Sequence, residues 1–251
     1  MMKILFTICG RAGSKGIKNK NLKMFCGKYL AYYAVSAIDL YLNRKPDVEA
    51  DIVANSDSEE LLNLLENNRL RKIDRIIREK SLASDSIGKI AVISDCLSKM
   101  EDSRGTNYDM VVDLDITSPL RTVGDLEKVI DLQSKQNADV TTTVVAARRN
   151  PYFNQVKRTD HGVKKVIDSN YTARQQAPEI FDMNASIYAY SPLFLKQGKG
   201  ILDGYCEIVE MCDTGILDLD HENDFKLMEV IAEYLIKKNN GFREIYKHIP
   251  V

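Results

Sequence analysis

One short stretch near the start of the chain combines cations with glycines. Residues 8–21 read ICGRAGSKGIKNKN and follow the apolar run Ile4 to Ile8. Glycines at 10, 13 and 16 would let backbone amides converge on a group of oxygen atoms. The stretch is either a solvated surface loop or a phosphate-binding loop, and its position after a first strand favours the second. The cations in and beside it are Arg11, Lys15, Lys18, Lys20 and Lys23.

The spacing of the glycines excludes two common nucleotide-binding loops. The Walker A pattern G-x-x-x-x-G-K-[ST] is absent. The segment GRAGSKG also lacks the G-x-G-x-x-G fingerprint, which disfavours a nicotinamide cofactor.

A second candidate for chemistry lies late in the chain, where residues 217–224 read LDLDHEND. Asp218 and Asp220 alternate with leucines, so a short strand would point both carboxylates to one side. Hard oxygen ligands of this kind suit Mg²⁺ carried in with a nucleotide. The same residues could instead form the acidic N-terminal cap of the helix that follows.

Composition narrows the class of protein. A chain of 251 residues that is 44% hydrophobic can bury a full core, and we expect a single domain over 1–251. The net charge of −1 argues against a bulk nucleic-acid binder. Five cysteines without a C-x-x-C pair or a secretory signal favour a cytoplasmic protein with reduced thiols, and no apolar segment is long enough for a membrane span.

Strand and helix patterns alternate along the first 150 residues. The alternation predicts a mostly parallel, doubly wound α/β sheet with helices on both faces. Such sheets bind ligands beyond the carboxyl ends of their strands, where the cationic stretch falls. The predicted strands are 4–8, 50–54, 73–77, 110–114 and 139–147, and the predicted helices are 27–42, 58–67, 86–100, 124–136 and 222–238, with Ser86 as a possible N-cap.

The amino-acid composition changes at about residue 150, where the sequence becomes polar and rich in turn residues. We interpret about 150–205 as an inserted subdomain, with Asn184 to Tyr190 as a strand.

Six segments together resemble the acylneuraminate cytidylyltransferases, the CMP-sialic acid synthetases, and closest in motif are the legionaminate, pseudaminate and amino-octulosonate types. The first is GRAGSKGIKNKNLK, which has Gly10 where that family usually has alanine. The resemblance continues in family order over nearly the full chain. The further segments are NSDSEE (55–60), REKSLASDS (78–86), TSPLRT (117–122), RQQAPEIFDMNASIY (174–188) and LDLDHENDF (217–225).

The resemblance implies a fold, a reaction and a set of site residues. The fold would be a three-layer sheet of the nucleotide-diphospho-sugar transferase type, and the anomeric hydroxyl of a keto-acid sugar would attack the α-phosphorus of CTP. Fixed cations and Mg²⁺ would stabilise the departing pyrophosphate. The implied catalytic residues are Arg11, Lys15 and Lys20, the implied nucleotide-binding residues are Gly13, Ser14, Asn21 and Arg78, and the implied metal ligands are Asp218 and Asp220. For Arg78, a surface salt bridge is the alternative.

The sugar site departs from the sialate pattern. Asp115 stands where many sialate synthetases have glutamine, so the similar Asp113–Asp115 run is not interpreted as a metal site. Asp182 stands where arginine is common, and it could meet an amino or acetamido group or cap a turn. Arg174 and Gln175 are candidates for the sugar carboxylate, and Asn184 completes the implied substrate-binding set.

Three functions follow as hypotheses. The first is activation of a legionaminate- or pseudaminate-type sugar by CTP, without nucleic-acid or membrane partners. The second is activation of another acid, such as the octulosonate Kdo or its 8-amino form. The third is a non-catalytic nucleotide-binding protein on the same fold. The family resemblance also implies a homodimer in which the inserted segment, as a dimerisation or lid subdomain, closes over the partner's site.

Overall fold

A computed structural model of the chain describes residues 2–13, 16–84, 87–212, 219 and 221–250. Seven strands form one sheet, flanked by helices on both faces, and two short hairpins lie outside it. The strands are β1 (Lys3–Cys9), β2 (Met24–Phe25), β3 (Lys28–Tyr29), β4 (Glu49–Ser56), β5 (Asp74–Ile77), β6 (Met110–Leu114), β7 (Val140–Ala146), β8 (Val156–Thr159), β9 (Gly162–Lys165), β10 (Phe181–Tyr190) and β11 (Cys206–Glu210). The helices are α1 (Tyr32–Arg44), α2 (Glu59–Glu66), α3 (Lys89–Arg104), α4 (Val123–Gln136), α5 (Pro192–Leu195), α6 (Glu222–Lys238) and α7 (Asn240–His248).

The order of the strands in the large sheet is β11-β7-β10-β6-β1-β4-β5. Strand β10 runs antiparallel to both of its neighbours, and the other pairings are parallel. The predicted three-layer, mostly parallel fold is therefore confirmed. Within the described residues, no helix has the length and apolar character that crossing a bilayer requires.

Alternation along the central strand β1 builds the two cores. Ile4, Phe6 and Ile8 pack in the core on one face, whereas Leu5 and Cys9 pack in the core on the other. Because side chains of a strand point to alternate faces, a strand covered on both sides must be apolar throughout. The run Ile4 to Ile8 meets that demand except at Thr7, whose buried hydroxyl donates to Asp113 Oδ1 at 2.8 Å.

The predicted helix 27–42 is wrong at its start. Cys26 and Gly27 have φ angles of 49° and 77° and form the turn of the hairpin β2–β3, so α1 begins only at Tyr32. Two consecutive positive φ angles match the turn type that two-residue hairpins favour. A Cys-Gly pair lacks the usual Asn-Gly signature of that turn, which explains the error.

The predicted N-cap of α3 is also wrong. The helix begins at Lys89, with Gly88 in the N-cap position. Ser86 itself lies outside the described residues.

The segment 150–205 divides between two places. The hairpin β8–β9 pairs only with itself, but β10 lies between β7 and β6 in the large sheet. A bulge interrupts β10 between Met183 and Tyr188, and Ala185 within it has a φ of 49°. The carbonyl of Ser186, also in the bulge, accepts a hydrogen bond from the backbone of Asp115, 3.1 Å away. The bulge therefore helps to shape the loop that follows β6.

Candidate active site

A cleft of about 440 Å³ lies beyond the carboxyl ends of β1, β4 and β6. Parallel strands bring their carboxyl ends to one edge of the sheet, which is where ligands of this fold class bind. The structure brings five of the residues singled out in the sequence together here. These are Arg11, Lys20, Asn21, Arg78 and Asp115.

The cationic loop is fixed to the end of β4. The backbone amide of Gly10 donates to the carbonyl of Asn55 at 3.1 Å, and the amide of Ala12 donates to the Asp57 carboxylate at 2.7 Å. A Cβ on Gly10 would lie 2.6 Å from Leu61 and 2.9 Å from Asn21, closer than real Cβ contacts. The packing beneath the loop therefore fits glycine at this position.

Lys20 links the first loop to the late acidic segment. Its Nζ atom donates to the carbonyl oxygen of Leu219 at 2.7 Å. Beside it, Lys23 forms an ion pair of 2.8 Å with Glu222. The two segments that the sequence suggested for the same site are thus neighbours in space. The predicted metal ligands Asp218 and Asp220, like Ser14 and Lys15, lie outside the described residues, whereas Gly13 is exposed in the loop with a φ of 75°.

Arg78 is buried rather than exposed. Its Nε donates to the side-chain oxygen of Asn55 at 2.7 Å, and its guanidinium also reaches the Asn55 carbonyl at 3.1 Å. Asn55 is the residue before the last one of β4, and its contacts hold the guanidinium at the wall of the cleft. A surface salt bridge, the alternative for Arg78, does not describe this environment.

Asn21 offers an acceptor with unused capacity. Its side-chain amide donates to the carbonyl of Arg11 at 3.1 Å. Its Oδ1 atom is buried and has no hydrogen-bond partner in the described part of the chain. A buried oxygen left without a donor is costly, so a ligand donor in the cleft would satisfy it.

Sequence reasoning missed Lys89, which lies in the first turn of α3 and lines the cleft. Its Nζ atom is 2.6 Å from Asp113 Oδ2 and 2.7 Å from Asp115 Oδ2. Burial lowers the pKa of Lys89, but Asp113 and Asp115 outweigh it and raise the pKa above the ordinary lysine value. In the sequence, Lys89 is distinguished only by following the segment 78–86. Lysines in such positions are too common to indicate a functional site.

The same ion pairs keep Asp115 ionised. Burial favours its neutral form and raises its pKa, but the Lys89 charge and hydrogen bonds from Lys89 and Thr117 lower the pKa to about 2. Asp113 is fully buried, and its Oδ1 atom accepts a hydrogen bond of 2.8 Å from Thr7.

Arg121, the arginine of the TSPLRT segment, is also buried and shapes the loop after β6. Its guanidinium donates to the backbone carbonyls of Ser118 and Asp115. Burial lowers its pKa to about 10. Arg121 therefore supports the loop that carries Asp115 and Thr117.

The other predicted sugar-binding residues do not line this cleft. Arg174 and Gln175 border a separate hollow of about 460 Å³ near the end of β7, where Arg174 donates to the carbonyl of Ala147 at 2.9 Å. Asp182 is exposed on β10. Asn184 accepts a hydrogen bond of 2.7 Å from Thr143, so it stabilises the bulge of β10.

The chain is similar in sequence to known cytidylyltransferases. The cytidylyltransferase family model matches residues 5–237. The post-translational flagellin modification protein B of Campylobacter coli is 37% identical over 243 residues, covering 96% of this chain and 97% of its own. The CMP-N,N'-diacetyllegionaminic acid synthase of Campylobacter jejuni subsp. jejuni serotype O:2 is 34% identical over 241 residues, with the same coverage of 96% and 97%.

A solved structure shows the same fold. The CMP:2-keto-3-deoxy-manno-octonic acid synthetase complexed with CTP superposes with a TM-score of 0.58 at 15% identity, over 93% of this chain and 100% of that one. Together with a family model that spans most of the chain, these findings show that the protein belongs to the cytidylyltransferase family of nucleotidyltransferases.

Proposed function

We propose that the protein couples CTP to a sialic acid-like nonulosonate of the legionaminate or pseudaminate type, giving CMP-sugar and pyrophosphate. The observation that carries the proposal is the contact between Lys20 and Leu219, because it joins the cationic loop to the late acidic segment at one cleft. The relative named as a CMP-N,N'-diacetyllegionaminic acid synthase supports the choice of sugar.

The reaction is a displacement at phosphorus. The anomeric oxygen of the sugar forms a bond to the α-phosphorus and releases its proton to the solvent, while the bond from that phosphorus to the oxygen of the leaving pyrophosphate breaks. Arg11, Lys15 and Lys20 neutralise the triphosphate and stabilise the charge that develops on the leaving group. Arg11 can bind two phosphate oxygens at once, whereas Lys15 and Lys20 act as point charges.

The nucleotide is held by the remaining residues of the first loop and by Arg78. Gly13 and Ser14 contribute backbone amides for the phosphates. Asn21 has a buried acceptor for a donor on the nucleotide, and Arg78 presents a guanidinium held by Asn55. On the acceptor side, Asp115 lies in the same cleft.

Mg²⁺ belongs to the proposal, with Asp218 and Asp220 as its ligands. Carboxylate oxygens are the donors that this ion prefers, and Leu219, the residue between them in sequence, contacts Lys20 in the cleft. In the described part of the chain no group of three or more His, Cys, Asp or Glu residues could hold an ion. Bound there, the ion would screen the negative charge of the triphosphate and of pyrophosphate.

We also propose a homodimer, because the second sugar-binding group lies away from the cleft of its own protomer. In a dimer, Arg174, Gln175, Asp182 and Asn184 of one protomer would serve the sugar in the cleft of the other. Large apolar side chains that are exposed in and near the segment 150–205 support an interface there, namely Val156, Val163, Met183, Leu202 and Ile208.

Mixing two inactive variants tests this arrangement. The K20A and R174A dimers are mixed and their protomers exchanged by dilution. After exchange half of the dimers are mixed, and if Arg174 acts across the interface each mixed dimer has one intact site. The mixture should then regain about a quarter of the wild-type activity. No regained activity after verified exchange would show that Arg174 does not act across the interface.

The proposed location is the cytoplasm, where CTP is available. All five cysteines are free thiols, which supports a reducing compartment.

A panel of keto-acid sugars tests the activity directly. With CTP and Mg²⁺, pyrophosphate release should be fastest with a legionaminate- or pseudaminate-type sugar. Faster release with Kdo or its 8-amino form would favour the octulosonate alternative. The octonic acid synthetase, which has the same fold, is the reason to include these sugars. Nucleotide binding without release for any sugar would favour the non-catalytic alternative.

A further inference from the structure

The carboxylates at the end of β6 are already engaged by the protein. Asp113 and Asp115 are two residues apart, a spacing that could hold a divalent ion at the mouth of a nucleotide cleft. The Nζ atom of Lys89 lies between them, 2.6 Å from Asp113 and 2.7 Å from Asp115. An internal ammonium therefore occupies the place that an ion would take.

The remaining oxygen of each carboxylate has partners as well. Asp113 Oδ1 accepts from the Thr7 hydroxyl at 2.8 Å. Asp115 Oδ1 accepts from the backbone amide of Thr117 at 2.8 Å and from its hydroxyl at 2.7 Å. Neither carboxylate is well placed to bind a substrate group while these contacts hold.

The ammonium of Lys89 does have capacity for a substrate. An ammonium carries three N–H donors: one donates to Asp115 Oδ2 at 2.7 Å, and a second is engaged by the ion pair with Asp113 Oδ2 at 2.6 Å. The side chain is 32% exposed and lines the cleft, so the third donor can reach a bound molecule. The contacts with Asp113 and Asp115 fix the position of the ammonium, and therefore the position from which it can donate to a bound molecule.

The charge of the cluster restricts what it can bind. Lys89 and the buried guanidinium of Arg121 together balance the charges of Asp113 and Asp115, so the cluster has no excess positive charge to offset the cost of desolvating a phosphate or carboxylate. A neutral oxygen, such as a hydroxyl or an amide carbonyl, would accept the hydrogen bond without this penalty. The nucleotide and the acceptor sugar both carry such oxygens.

We propose that Lys89 is a substrate-contacting residue that donates a hydrogen bond to a neutral oxygen of a bound substrate, with Asp113 and Asp115 as its positioning residues. The proposal deepens the proposed function and rests on it. It also reassigns Asp115, which acts on the substrate through Lys89.

Steady-state kinetics of K89M test the contact. Loss of a charge-assisted hydrogen bond should raise the KM of one substrate by about tenfold or more, with the other KM changed less than about twofold. A raised KM for CTP places the neutral oxygen on the nucleotide, and a raised KM for the sugar places it on the acceptor. The matched control is K135M, because Lys135 is exposed in α4 away from the cleft and its loss should leave both KM values unchanged.

A double variant separates contact from packing, because K89M alone leaves the buried Asp113 unpaired. K89M/D113N removes that charge and should recover the thermal midpoint while keeping the raised KM. If the double variant recovers both the midpoint and the KM, Lys89 serves only to neutralise Asp113 and the proposal is overturned. Unchanged KM values in a folded K89M overturn it too. If the wild-type protein is inactive with every sugar, the proposed function is overturned as well. If the wild type is active, an unchanged KM in K89M counts against the role of Lys89 alone.

Discussion

The ammonium of Lys20 donates to the carbonyl of Leu219, 2.7 Å away, although 199 residues separate the two in the chain. The contact places Leu219 beside Lys20, which lines the cleft. Because a lysine bound to a neutral carbonyl keeps its full charge, Lys20 remains able to attract a phosphate.

K20A should lower kcat by about 100-fold or more, because it removes a fixed charge that stabilises the leaving pyrophosphate. The free energy of unfolding should change by less than about 1 kcal/mol, since the lost hydrogen bond is partly solvated. Pyrophosphate release and urea unfolding measure the two effects. K18A is the matched control, as Lys18 is exposed in the same loop. Equal activity of the two variants would contradict the assignment.

R78A should weaken CTP binding by about tenfold or more, because it removes a buried guanidinium from the wall of the cleft. Isothermal titration calorimetry with CTP measures the loss. The control is R75A. Arg75 lies on β5, the strand directly before Arg78, and forms ion pairs with Glu59 and Glu66 at the surface. If both variants bind CTP as wild type does, Arg78 has a structural role only.

The ion pair of Asp115 should make stability depend on pH in the acid range. Its pKa is about 2 in the folded protein, below the ordinary value of 3.8, so the folded state binds the proton more weakly than the unfolded state. The contribution is therefore complete above about pH 4 and is lost as the pH falls towards 2. It amounts to roughly 2 kcal/mol.

D115N provides the comparison for this effect. The difference in the free energy of unfolding between wild type and D115N, measured by urea titration, should shrink as the pH is lowered from about 4.5 to about 2.5. A difference that stays constant over this range would show that Asp115 has no depressed pKa.

A185G should stabilise the protein by about 0.5–1 kcal/mol. Ala185 has a φ of 49° in the bulge of β10, a conformation that costs an L-residue with a Cβ atom about 1–2 kcal/mol. Glycine removes that cost, although its freer unfolded chain offsets part of the gain. Thermal unfolding checks the sign. A189G in the extended part of the same strand should instead destabilise, because Ala189 is buried in the sheet.

Much of the fold followed from local patterns. The strand β6 and the helix α6 have the bounds that periodicity and β-branched content predicted. The predictions were wrong where a turn had an unusual signature, as at Cys26 and Gly27, and where glycine rather than serine stands at the N-cap, as at Gly88. Local rules work where one hydrophobic period continues over many residues, and they fail at single positions that reverse the chain.

The sequence alone predicted the family, the α/β fold and the group of Arg11, Lys20, Asn21 and Arg78, because each of these residues lies in a segment that resembles a motif of the family. Only the tertiary structure decided that Lys89 lies between Asp113 and Asp115, and that Arg174 lies at a hollow separate from the cleft. The physical reason is that strand order and helix placement set which side chains meet. A lysine 24 residues before Asp113 carries no sign in the sequence of the carboxylates that will hold it.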